Sequence, residues 1–320
     1  MKEMDNPVFA DTLVATILEK KSILVMGVDP DFALMPPDFA RQTAEGRANS
    51  VEHYFRPMIT ALASSIVACK LQIAFFERLG VPGMRTFSNL IQHARDQGLL
   101  VIADAKRGDI GSTAEAYADA YLGGPSDATS ATDFVSDAVT VSPYLGSDSI
   151  IPFVRRAESN GKGIFVLVHT SNKSAVEIQD VPTTSDGQDA RNVYELVAGL
   201  VNKWGTGLVG QRGYSSVGAV VGLTFPDAAK RIRQIVGHCF ILVPGYGAQG
   251  GQASDLTDFL DEDGLGAIVN SSRAISYAYR SPTWAQHFRS SEFVEAAVAE
   301  VSRANHEINS AMERAGRRPW

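Results

Sequence analysis

Two cysteines in 320 residues cannot form a disulfide framework. Neither Cys69 nor Cys239 has CxxC spacing, and each sits in an apolar, strand-like setting, the pattern of buried thiols in a reducing compartment. The six histidines are scattered, with no HxxH or HExxH spacing, so no metal site is legible. No apolar run approaches about 18 residues. Positions 1–21 lack the basic start, apolar stretch and small-residue cleavage site of a signal peptide. The expectation is a soluble, cytoplasmic chain that does not enter a membrane. Basic runs are also missing. The 29 Lys and Arg against 36 Asp and Glu give a formal charge of −7, which argues against a nucleic-acid surface and for a small-molecule ligand. There is no internal repeat, low-complexity segment or linker either, so one domain over 1–320 is expected.

What is present is 45% hydrophobic residues with 28 glycines and 14 prolines, enough for a large core and many short turns. Strand patterns at 22–29, 66–71, 99–106, 138–142, 163–170, 217–223, 240–243 and 267–269 are separated by helical or loop segments. Helical patterns fall at 7–20, 49–64, 82–97, 150–159, 190–204, 226–236, 255–261 and 293–315. This alternation predicts an α/β protein, a (β/α)8 TIM barrel with its core at about 22–280 and flanking helices. Segments 123–133, 177–189 and 202–216 read as surface or lid insertions. Asp29, Lys70, Asp104, Lys106 and Ser171 close apolar strands, so they should meet at the C-terminal face, where barrel enzymes keep their sites.

The stretch LLVIADAKRGDIGST at 99–113 is the most informative. Along a strand, Leu100, Ile102, Asp104 and Lys106 share a face. Charges on a buried face are costly unless paired, and function is the commoner reason for that expense. Ser112-Thr113-Ala114-Glu115 reads as a capping box opening the next helix.

The other informative region follows strands seven and eight. Pro244-Gly245-Tyr246-Gly247-Ala248-Gln249-Gly250-Gly251 and Ser271-Ser272-Arg273 occupy the place where such barrels bind phosphate. Glycines admit backbone N–H groups to an anion, and Arg273 offers a bidentate fork. Gly245-x-Gly247-x-x-Gly250 also matches a dinucleotide fingerprint, but that motif normally follows the first strand of a βαβ unit, not the seventh of eight.

Taken together, Gly27-Val28-Asp29, Lys70, Asp104-Ala105-Lys106-Arg107-Gly108-Asp109-Ile110-Gly111, the Pro244–Gly251 loop and Arg273 closely resemble the orotidine 5′-phosphate decarboxylase family, in its longer bacterial branch. The resemblance implies conversion of orotidine 5′-monophosphate to UMP and CO2 in pyrimidine biosynthesis, without a cofactor. It implies that Asp29 and Lys70 bind ribose hydroxyls, that Asp104 and Lys106 face the reacting carboxylate, and that Lys106 protonates C6. Ser171 would contact the pyrimidine, Gln249 would bridge ring and phosphate, and Arg273 would hold the phosphate with Pro244, Gly245, Gly247 and Ser272 around it. It further implies a homodimer in which Asp109 reaches the neighbouring site, completing a charge tetrad with Lys70, Asp104 and Lys106.

Two other classes remain open. A metal-dependent sugar-phosphate decarboxylase or synthase of the same superfamily also carries D-x-K-x-x-D on strand three, but with an acid on strand two where this chain has Lys70. A non-catalytic nucleotide-phosphate binding protein would show a degraded tetrad. His169, ending strand five, reads as a hydrogen-bonded structural residue, and Trp204, Trp284 and Trp320 read as packing or surface residues.

Overall fold

The computed structural model describes residues 8–125, 133–183, 191–247 and 251–320. Eight parallel strands close a barrel in sequence order: β1 (Leu24–Val28), β2 (Ala68–Gln72), β3 (Leu100–Arg107), β4 (Ala138–Val141), β5 (Gly163–His169), β6 (Ser215–Val221), β7 (Cys239–Pro244) and β8 (Ala267–Ser271). The circle is completed by β1 against β8, with Leu24 opposite Val269. Most strand residues are buried, as expected where the barrel interior fills one face and helices cover the other. The (β/α)8 reading therefore holds.

Most helices match the sequence patterns to within a few residues. The helix before β2 differs: it spans Ala44–Leu62 and starts well before residue 49. Its N-cap is Thr43, whose Oγ1 accepts the Gly46 N–H at 3.1 Å. Val51, Tyr54, Phe55, Met58, Ile59 and Leu62 form the buried stripe. The five residues 44–48, AEGRA, thus join the helix through a cap rather than through hydrophobic periodicity. The helix after β3, Gly111–Leu122, has no side-chain cap at Ile110. Ser112 already lies inside its first turn, so the expected capping box at 112–115 does not form. The segment expected as a helix at 255–261 is a 3₁₀ helix, Ala253–Phe259.

The insertion at 202–216 is no lid. It leaves the helix Val193–Gly205, makes a 3₁₀ turn at Thr206–Leu208 and enters β6 from its N-terminal end, opposite the strand ends where the site lies. The Gln211 and Arg212 amides donate to Asp11 at the start of the first helix, Phe9–Lys20, and Tyr214 is buried against Phe240. Of the insertion at 177–189, residues 184–190 lie outside the described residues; Pro182–Thr183 pairs antiparallel with Arg191–Asn192. In the insertion at 123–133, residues 126–132 lie outside them.

Candidate active site

Asp104 sits near the end of β3, opposite Gln72 of β2, and is 6% exposed. Its Oδ2 accepts a hydrogen bond from Lys70 Nζ at 2.6 Å. Its Oδ1 accepts one from Lys106 Nζ at 2.5 Å and one from Thr140 Oγ1 at 3.0 Å. Strand alternation places Asp104 and Lys106 on one face, but the backbone departs from it. Lys106 has φ +48°, and the pairing of β3 with β4 shifts register between Ala103 and Arg107. Holding a non-glycine residue in the left-handed region costs about 1–2 kcal/mol. That kink is secured by the Lys106 N–H, which donates to Thr140 Oγ1 at 3.0 Å, and it returns the ammonium group onto Asp104. Strained backbone of this sort gathers at functional sites.

The electrostatics follow from this packing. Burial pushes the Asp104 carboxyl up, but the charges and hydrogen bonds of Lys70 and Lys106 outweigh it and hold the group well below the usual carboxylate range. For Lys70, burial pulls downward, while Asp104 and then Asp29 more than reverse it. Lys70 is thus kept cationic at 5% exposure. Asp29 lies just past β1, and its buried Oδ1 has no hydrogen-bond partner among the described residues. A free acceptor beside a buried ammonium suits a ligand hydroxyl, which can give one hydrogen bond and receive another.

Lys70, Asp104, Lys106 and Thr140 form one side of a cavity of about 490 Å³ that also meets Leu167, Ser171, Gln179, Leu242 and Pro244. Ser171 is set by a close approach. A Cβ on Gly222 would fall 2.7 Å from the Ser171 backbone, so only glycine lets the chain leaving β6 pass there. Next to Ser171, the Gln179 amide clamps Thr170: its Oε1 accepts the Thr170 N–H and its Nε2 donates to Thr170 Oγ1, both at 2.8 Å. His169 is buried, with Nε2 2.8 Å from Asp180 Oδ1 and its ring edge-on to Tyr194 and Phe225. This supports the structural reading of His169. It also refines the reading of 177–189 as a surface or lid insertion, because Gln179 and Asp180 hold the end of β5 in place.

Thr140 and Gln179 were not singled out from the sequence. Thr140 had a weak signal, a lone hydroxyl in the apolar strand AVTV. Gln179 had none, being one polar residue in a polar segment.

Arg273 is further off. It opens a short helix, Arg273–Ser276, and lines a separate cavity of about 390 Å³ with Gly247, Tyr277, Arg280 and Arg303. Gly245 and Gly247 take φ +106° and +82°, conformations that L side chains rarely adopt. Ser272 packs so tightly on Gly27 that any Cβ there would overlap its hydroxyl. Gln249 and Gly250 lie outside the described residues. Asp109 is not brought to the cluster within this chain: its Oδ1 accepts the adjacent Ile110 N–H at 2.8 Å, and it does not line the cavity around Lys106. Among the described residues, no group of three or more His, Cys, Asp or Glu side chains could hold a metal ion, and no helix is long and apolar enough to cross a membrane.

A family model described as orotidine 5′-phosphate decarboxylase / HUMPS matches residues 53–286. The chain belongs to that family. It is 40% identical over 300 residues to the orotidine 5′-phosphate decarboxylase of Caldicellulosiruptor saccharolyticus, covering 91% of this chain and 97% of the relative. It is likewise 40% identical to the Rhodopirellula baltica enzyme of that name, over 94% and 98% of the two chains. Among solved structures, Leishmania donovani OMP decarboxylase superposes with a TM-score of 0.72 at 30% identity, over 95% of this chain and 98% of the other. The residues matched by the family model span β2 to β8.

Proposed function

We propose that this chain decarboxylates orotidine 5′-monophosphate to UMP and CO2, with no cofactor, as a cytoplasmic homodimer of the pyrimidine pathway. The observation that carries the reading is Asp104, a buried carboxylate held between the Lys70 and Lys106 ammonium groups on the wall of a cavity. The C6–carboxylate bond breaks with its electron pair left on C6, where the ring offers no resonance, and CO2 departs. Lys106 faces the developing charge and transfers a proton from Nζ to C6. Asp104 meets the substrate carboxylate as a like charge and aims Lys106; Lys70 and Asp29 take the ribose hydroxyls, and Ser171 faces the pyrimidine.

Very slow uncatalysed reactions require barrier reductions of about 20 kcal/mol, whereas one preorganised group supplies about 3–4. The remainder is assigned to phosphate binding by Ser272, Arg273 and the Pro244–Gly251 loop, whose energy holds the closed, dry site. Asp109 is read as acting on the neighbouring subunit's site, which fits its place outside the lining of the Lys106 cavity in its own chain. The metal-dependent lyase reading is disfavoured by Lys70, whose ammonium occupies the Asp104 oxygen that a cation would need.

The test is loss of the near-ultraviolet absorbance of orotidine 5′-monophosphate with EDTA present, beside Lys106→Ala. Turnover by the wild type and collapse in the variant are expected. No turnover, or turnover abolished by EDTA alone, refutes the proposal.

A further inference from the structure

The phosphate side of the site has an anchor in an element that the proposed reaction does not use, the long C-terminal helix Phe293–Arg314. Tyr246 lies between the two left-handed glycines, Gly245 and Gly247, and is only 4% exposed. Backbone flanked by such residues has little intrinsic preference for one conformation, so its position must be imposed by a side chain. The Tyr246 hydroxyl donates to Glu307 Oε2 on the helix at 3.1 Å. Glu307 is itself fixed by Arg303 Nη1 at 2.5 Å, and Arg303 makes a two-point contact to Glu300 at 2.7 and 2.9 Å. Trp284 Nε1 closes the chain on Glu300 Oε2 at 2.8 Å.

At its other end, Tyr246 lies against the segment that carries Arg273. Its carbonyl accepts from Ser271 Oγ at 3.4 Å, and the next residue, Gly247, packs on Ala274, since a Cβ there would lie 3.1 Å from the Ala274 Cβ. Gly247 and Arg273 line one cavity, and Arg303 lines it too. Arg303 is therefore a cation on the same cavity as Arg273, but its guanidinium is committed to Glu300 and Glu307, so among the described residues Arg273 is the fork left to meet a dianion.

We propose that Tyr246, braced by Glu307 and Arg303 on the C-terminal helix, is a positioning residue for the phosphate group of the nucleotide. It acts through the placement of Gly247 against Arg273. This rests on the proposed nucleotide reading and deepens it: the C-terminal helix becomes part of the apparatus for recognising a phosphomonoester.

The experiment compares binding of UMP and uridine by calorimetry for wild type, Tyr246→Phe, Glu307→Gln and Glu307→Ala, with turnover of orotidine 5′-monophosphate alongside. Tyr246→Phe keeps the ring packing and deletes only the hydroxyl. It is expected to weaken UMP by about tenfold, as losing one hydrogen bond to a charged group does, with KM rising in step and uridine affinity unchanged. Glu307→Gln keeps an acceptor and should recover most of the loss seen in Glu307→Ala. Combining Tyr246→Phe with Glu307→Ala should cost little more than either alone. Equal weakening of UMP and uridine, no weakening of either, or fully additive losses in the double variant would overturn the proposal. A wild type that binds UMP no better than uridine overturns the nucleotide-phosphate reading itself, and this inference with it; failure confined to the variants overturns only the inference.

Discussion

Replacing Asp104 with Asn changes almost no volume, but it removes the negative charge that bridges two ammonium groups. The native carboxylate accepts at both oxygens, from Lys70 at 2.6 Å and from Lys106 and Thr140 at 2.5 and 3.0 Å. An amide has a single acceptor oxygen, so either rotamer points an NH2 at an ammonium. If the oxygen faces Lys106 and Thr140, Lys70 meets a donor at a site where it is 5% exposed. Removing one partner of a buried ion pair costs about 3–5 kcal/mol, and that is the expected loss of stability at pH 7.

The pH dependence discriminates further. In the wild type, Lys70 is held above its ordinary value, so its stabilising contribution is present below its unfolded pKa of about 10.4 and is lost only as pH rises through the folded value. In Asp104→Asn, burial dominates and the folded pKa drops below the unfolded one. The unfolded state then binds more protons, and variant stability must rise with pH by up to about 1.4 kcal/mol per unit. Urea unfolding of both proteins at pH 7 and 9.5 reads the difference, in which other titrations largely cancel. The deficit should shrink by 1 kcal/mol or more on that scale, and adding Lys70→Met should flatten it. A deficit below about 1 kcal/mol at pH 7, or one equal at both pH values, refutes this account of the cluster.

Thr140→Val removes one donor to Asp104 and the acceptor of the Lys106 N–H, so a stability loss of about 2–3 kcal/mol should appear in urea unfolding with a larger fall in kcat than change in KM; an unaltered kcat counts against the role given to the β3 kink. Gly222→Ala forces the Ser171 backbone aside, and kcat/KM should fall about tenfold or more, the effect of a 1 Å misplacement or less, while circular dichroism stays native; full activity would show that Ser171 is not held by this contact. Burial pushes Cys69 up to about 12 and Cys239 to about 11, so a thiol reagent at pH 8 should label neither cysteine until the protein is denatured, and rapid labelling of the native protein would show that these strands open.

The barrel was legible because each of its strands carries a local signal: an apolar run ended by a polar residue, followed by a helical stripe or a glycine-rich turn. The helix start at Ala44 was missed because its determinant, Thr43, is a cap rather than a periodicity. The charged core of the site was legible for a related reason. Asp104 and Lys106 lie two apart on one strand, and a two-residue period is the one long-standing geometric rule a strand obeys. What could not be read is how they meet. Nothing local to lysine favours φ +48°, and the force that places it there is a hydroxyl 34 residues later, known only once β3 and β4 are in register. The same holds for Gln179 on Thr170, which requires the chain after β5 to fold back, and for Tyr246 on Glu307, 61 residues apart. At β3 the charged residues announce themselves because burying them is expensive, whereas Thr140, which orients them, is an ordinary polar side chain whose own cost is already met by its hydrogen bonds. A sequence therefore exposes buried charges sooner than the groups that orient them, and Thr140, which bonds both Asp104 and the Lys106 backbone, is the position where that difference should be largest when mutated.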